Sequence, residues 1–236
     1  MSPPGRPRSE YRSTQGAGTP ASRPRGFVIA LVGAESTGKT TLARQLCDVL
    51  VDQGKDAVVV AEYLREFCDA EGRTPTLREQ HRIAEEQTRR IEHATSVHAF
   101  VIADTTALMI AVYSEQVFGD THLDASAQAA HLRLCDLTLV TALDIPWQPD
   151  GLQRDGPQVR EPVDTKLRAA LQRAGLPYSV VHGTGAARLQ AALACVQRAL
   201  APPSNEAGGV TRWQWHCERC GDADCERIFR LPSLPI

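Results

Sequence analysis

Asparagine is nearly missing from this chain: of 236 residues, Asn205 alone carries that side chain. An Asn-Lys-x-Asp guanine-specificity motif therefore cannot be present, which argues against an ordinary GTPase switch. A His-Arg-Asp loop completed by a magnesium-binding asparagine is absent too, which excludes a protein kinase. No apolar run approaches the roughly 18–20 residues that a bilayer-spanning helix needs, so no membrane partner is expected. The N-terminus has no hydrophobic stretch of the secretory kind. Residues 1–25 hold five arginines and one acidic residue among Pro, Ser, Gly and Thr, and they read as a disordered tail. With a net charge of −2 there is no global basic field to recruit nucleic acid. A cytoplasmic location is expected, and there the seven cysteines are reduced thiols or metal ligands.

Lysine is scarce as well. Lys39, Lys55 and Lys166 stand against 23 arginines, so basic positions here default to Arg. A lysine kept where a compact ammonium is chemically preferred is then informative. Lys39 lies in Gly33-Ala34-Glu35-Ser36-Thr37-Gly38-Lys39-Thr40-Thr41, a full match to G-x-x-x-x-G-K-[ST]. The apolar run Phe27–Val32 before it suits one buried strand, and the residues after it repeat apolar side chains at helical spacing. Such a loop wraps its backbone N–H groups around phosphates at a helix N-terminus. Gly33, Glu35, Ser36, Thr37, Gly38, Lys39, Thr40 and Thr41 are the candidate nucleotide-binding residues. Lys39 reaches the β- and γ-phosphates of ATP, and the Thr40 hydroxyl ligates Mg²⁺.

Strand patterns recur at 27–33, 57–61, 99–103, 137–141 and 178–182, and helical patterns at 39–53, 76–98, 105–118, 125–134, 161–174 and 185–200. That alternation predicts βαβ units, a parallel sheet and right-handed crossovers. Residues 26–200 form the expected α/β domain, 201–212 a Pro- and Gly-rich linker, and 213–236 a short cysteine-rich tail.

Ligands of open α/β sheets gather at the carboxyl ends of strands. Ala99–Asp104 is a strand pattern ending in an acid, where a P-loop fold keeps its Mg²⁺-coordinating aspartate. Asp104 also suits a helix N-cap. Glu62 and Arg65 follow the second strand pattern one helical turn apart. There a carboxylate can take the proton of an attacking hydroxyl while a guanidinium steadies the transferring group. The same pair also suits an exposed helix surface. Arg154 and Arg160 lie on a stretch with two Gly and a Pro that reads as a mobile loop, and they can close on phosphates. A merely solvated loop has the same composition.

Assembled, these residues resemble the P-loop kinase domain of the NadR family, a ribosylnicotinamide kinase often grouped with AAA-type ATPase domains. The resemblance spans about residues 27–198. It rests on the 33–41 motif with its Glu35-Ser36, on Glu62-Tyr63-x-Arg65-Glu66, on Ile102-Ala103-Asp104-Thr105, and on Pro146-Trp147 followed by Asp150-Gly151 and Arg154. It implies a five-stranded sheet in the order 2-3-1-4-5 with helices on both faces. It also implies Mg·ATP-dependent phosphorylation of a nucleoside, nicotinamide riboside giving its mononucleotide, with Glu62 near the ribose 5′-hydroxyl. With 25 residues ahead of the domain, the adenylyltransferase that family members often carry there is not expected here. A regulatory ATPase or nucleotide-sensing module with a partner-binding tail is the competing expectation.

The tail carries Cys217, Cys220 and Cys225, a C-x₂-C-G half-knuckle that offers three thiolates to Zn²⁺. No second C-x₂-C follows at ribbon spacing, so free or redox-active thiols remain the alternative. Cys47, Cys68, Cys135 and Cys195 read as small core hydrophobes.

Overall fold

The computed structural model describes residues 25–148 and 156–201. Five strands, β1 (Phe27–Val32), β2 (Ala57–Val60), β3 (Phe100–Asp104), β4 (Leu137–Thr141) and β5 (Ser179–Val181), alternate with seven helices. The helices are α1 (Lys39–Asp52), α2 (Tyr63–Glu71), α3 (Leu77–Val97), α4 (Ala107–Phe118), α5 (Asp124–Leu134), α6 (Arg160–Arg173) and α7 (Gly185–Leu200). All strand pairings are parallel, and the order β2-β3-β1-β4-β5 is the one the family resemblance implies.

Alternation along β1 sorts the helices into two layers, because successive side chains leave a strand on opposite faces. Ile29 and Leu31 pack with α1 (Leu42, Leu46, Leu50) and α7 (Ala192, Cys195, Val196). Val32 meets α4 and α6, and Val28 meets Ile91 of α3 and Leu134 of α5. A strand covered on both sides must be apolar throughout, and β1 is.

The helix α2 carries the helical turn expected between Glu62 and Arg65, in a stretch with no separate helical pattern of its own. It is nine residues long, buries only Phe67 and Cys68, and ends at Gly72, whose φ of 66° is left-handed. Arg25, at the end of the expected tail, is pinned instead of free. Its guanidinium makes two bonds to the Asp136 carboxylate, at 2.8 and 2.7 Å. Cys47, Cys68, Cys135 and Cys195 form no disulfide among the described residues, Cys68 and Cys195 are buried, and burial pushes the Cys135 thiol up to about 12.

Candidate functional site

The loop between β1 and α1 turns back on itself through left-handed backbone. Gly33 has φ 150°, and a Cβ there would lie 2.2 Å from Thr141 Oγ1, so only glycine fits against β4. Ser36 (φ 55°) and Gly38 (φ 76°) complete the turn, and the peptide N–H groups at the start of α1 are left for a ligand. Thr37 Oγ1 donates to Ala34 O at 2.7 Å and shares a 2.7 Å hydrogen bond with Thr141 Oγ1, both fully buried. Lys39 Nζ folds over the loop and donates to Gly33 O and Ala34 O, each at 2.9 Å. Ser36 ties the loop to the segment after β4 by accepting from Gln148 N at 2.8 Å.

Arg188, which sequence reasoning missed, clamps this loop from α7. It is buried, and burial holds its guanidinium below the ordinary arginine range. It donates to Thr37 O, to Gly183 O at 2.7 Å, to Ala142 O at 3.2 Å and to Asp144 Oδ1 at 2.5 Å. Asp144 in turn accepts Gly183 N at 2.6 Å. One arginine thereby fastens the loop, the end of β4 and the start of α7 together. No local signal marks it among the 23 arginines; only its packing against the loop reveals the role.

Glu62 and Arg65 line the same cavity as the loop. Glu62 is the N-cap residue of α2, and its Oε2 lies 3.7 Å from Arg65 Nη2. The start of α2 is held by α3, where Arg90 pairs with Glu66 at 2.7 Å and stacks 4.4 Å from the Tyr63 ring centre. The loop and the two α2 residues face a common cavity of about 1020 Å³. Residues 35–41 form its phosphate end, and Leu64, Leu77, Gln80, Tyr113 and Phe118 add to its lining. The structure thus brings together the candidate residues Glu35, Ser36, Thr37, Gly38, Lys39, Thr40, Thr41, Glu62 and Arg65.

Asp104 ends β3 beside Leu31 of β1, two residues before the loop begins. It is 2% exposed, and its Oδ1 has no hydrogen-bond partner. A buried carboxylate oxygen left unmatched is costly unless a cation or water joins it. With the Thr40 hydroxyl on the first turn of α1, this donor set is hard and oxygen-only, which fits Mg²⁺. Asp104 is not the N-cap of the following helix, since Thr106 holds that position. Between them Thr105 adopts φ 80°, a left-handed conformation rare outside glycine and asparagine. Among the described residues no group of three or more His, Cys, Asp or Glu is placed to hold a metal by itself.

Arg160 differs from its sequence-based placement on a loop. Pro157–Val159 form a 3₁₀ turn that leads into α6, and Arg160 is that helix's first residue, 8% exposed. Its Nε and Nη2 make no hydrogen bond, and its charge acts on Arg188. Proline at a helix start is a recognised signal that locates this residue correctly. Arg154 and the cysteines Cys217, Cys220 and Cys225 lie outside the described residues.

Among the described residues no helix is long and apolar enough to cross a membrane. The fold is similar to solved structures of NadR. One, a complex with NR, has a TM-score of 0.61 and 21% identity over 78% of this chain. Another, with NAD and AMP-PNP, has a TM-score of 0.58 and 20% identity over 78% of this chain. The chain spans about half the length of these structures, 53% and 52%. Thymidylate kinase from Ehrlichia chaffeensis matches along its whole length, 100%, and over 75% of this chain, with a TM-score of 0.51 and 14% identity. No curated protein matches the chain in sequence. The family model described as an AAA domain matches residues 28–188, from the first strand through the arginine clamp. The chain belongs to that AAA domain family.

Proposed function

We propose that this chain is an ATP-dependent small-molecule kinase that transfers the γ-phosphoryl group to a nucleoside hydroxyl, with nicotinamide riboside as acceptor. The observation that carries the reading is that Glu62 and Arg65 line the same cavity as the phosphate loop. A nucleotide-sensing module needs the loop but has no use for a carboxylate–guanidinium pair in that cavity.

In this reading the loop N–H groups and Lys39 hold the β- and γ-phosphates, and Glu35, Ser36 and Thr41 shape the cradle. Thr40 and Asp104 would hold Mg²⁺, which would supply positive charge to the phosphates. Glu62 accepts the proton of the acceptor hydroxyl as that oxygen forms its bond to the γ-phosphorus. The bond from phosphorus to the bridging oxygen breaks, and ADP leaves with the electron pair. Arg65 offsets the charge on the transferring group, and Arg154 adds a further cation from the segment after Gln148. Arg160 acts from behind, through its buried position near Arg188. The ATP demand of this chemistry is met in the cytoplasm, and neither nucleic acid nor membrane takes part.

The test is a panel of nucleosides, nicotinamide riboside included, read by ADP release. ADP release is expected to be slow on water and to rise with nicotinamide riboside. In Glu62→Gln, turnover should fall by roughly 10²–10⁴-fold while ATP affinity stays nearly constant. Release that no nucleoside accelerates would reject the kinase in favour of a regulatory ATPase.

A further inference from the structure

Gln87 is fully buried in the middle of α3, on the face that also carries Ile83, Ala84 and Ile91. A primary amide in such a place is costly unless both of its ends are paired. Both are, and the partners come from two separate elements, the start of α2 and the residue that follows β3. Oε1 accepts Tyr63 N at 2.8 Å, the peptide group directly after Glu62. Nε2 donates to Thr105 O at 3.3 Å, the residue directly after Asp104. The donor at Tyr63 and the acceptor at Thr105 fix which way the amide points. The carbonyl it holds belongs to the left-handed Thr105, whose own hydroxyl is buried without a hydrogen-bond partner.

We infer that Gln87 is a positioning residue that sets the separation between the acceptor-side carboxylate Glu62 and the phosphate-side carboxylate Asp104. The inference rests on the reading of Glu62 as the group that takes the acceptor's proton. It goes further by assigning the alignment of the two half-sites to one buried amide on a helix that supplies neither. A displacement near 1 Å at a reacting centre can lower a rate by about 10²-fold, so a bond at each half-site gives Gln87 real leverage on turnover.

Substitution tests this through rate and not through binding. Gln87→Met keeps the volume and removes both bonds. It should lower kcat about 10- to 100-fold with the KM for ATP within about twofold of wild type. Gln87→Glu supplies the sharper readout. As a neutral carboxyl group it remakes both bonds, its O–H donating to Thr105 O and its other oxygen accepting from Tyr63 N. As a carboxylate it would face the Thr105 carbonyl with like partial charge. Burial raises a carboxyl pKa, so the ratio of Gln87→Glu to wild-type kcat should climb as pH falls through that raised value. Gln87→Met should show no such recovery.

A Gln87→Glu ratio that is flat with pH overturns the inference, even if Gln87→Met fails to fold. So does a folded Gln87→Met protein with wild-type kcat. Combining Gln87→Met with Glu62→Gln separates this idea from the one beneath it. If Gln87 works through Glu62, the double variant is little slower than Glu62→Gln alone. Fully additive losses with a slow Glu62→Gln overturn the positioning role and leave the base standing, whereas an unimpaired Glu62→Gln overturns the base itself.

Discussion

Replacing Arg188 by methionine keeps most of the buried stem and deletes the guanidinium. That side chain is only 4% exposed, and it serves four acceptors from three separate stretches of chain. Removing one partner of a buried ion pair typically costs about 3–5 kcal/mol, because the other charge is stranded. Here the Asp144 side chain is 33% exposed and keeps its bond from Gly183 N, so its carboxylate regains water. That argues for the lower end. The carbonyls of Thr37 and Ala142 have no such recourse, and each unsatisfied group adds about 1 kcal/mol or more. The sum is about 5 kcal/mol, equivalent to a fall of roughly 10–20 °C in Tm for a domain of this size. Urea denaturation followed by circular dichroism gives the first number directly. The second consequence is functional: without its hold on Thr37 O the loop loses its fixed curvature, so the KM for ATP should rise in the fraction that stays folded. A change below about 0.5 kcal/mol with unaltered ATP affinity would refute the clamp, since ordinary surface substitutions lie in that range.

Lys39→Ala should abolish phosphoryl transfer and leave Tm almost unchanged, because Lys39 stands on the first turn of α1, half-exposed, with its Nζ lying over the loop carbonyls of Gly33 and Ala34; turnover in a folded variant would reject the nucleotide site. His131, buried between the hydroxyls of Thr106 and Thr138, has its pKa depressed from 6.5 to about 4 by desolvation. The unfolded chain binds the extra proton in that window, so stability is lost as pH falls from 6.5 toward 4, by up to roughly 1.4 kcal/mol per unit. His131→Gln should remove that slope, and an unchanged slope would rule the histidine out as its source. For the cysteine tail, full-length protein prepared without chelator should carry near-stoichiometric zinc that a 1–209 truncation loses while still binding ATP; metal-free protein would reject the site.

The phosphate end of the cavity was legible because its chemistry is local. A strand, a glycine-rich loop and a helix lie within 26 consecutive residues, Phe27–Asp52, and each glycine answers a backbone demand that can be read one residue at a time. Glu62, Arg65 and Asp104 could be nominated because a parallel sheet sends the carboxyl ends of its strands to one edge. The strand order came from likeness to a family, since nothing in the spacing of βα units distinguishes one order from another. What escaped depended on contacts distant in sequence. Arg188 reaches a loop 151 positions earlier. Gln87 sits where apolar periodicity predicts an apolar residue, and a pattern of hydrophobicity cannot reveal two backbone partners on separate segments. The helix α2 is too short for its periodicity to stand out.

The two walls of the cavity are made of unequal material. The loop grows from β1, whose residues Val28–Val32 are 0% exposed at the centre of the sheet, whereas α2 is a nine-residue helix with two buried side chains. Amide protons of β1 should exchange with solvent only through global unfolding, and those of α2 through local opening. The same inequality bears on how such a chain changes over generations. Substitutions on α2 and at the start of α3 can remodel what the cavity accepts at little risk to folding, whereas the phosphate cradle is tied to the stability of the whole domain. A scaffold built this way can change what the rest of its cavity admits without giving up its phosphate loop.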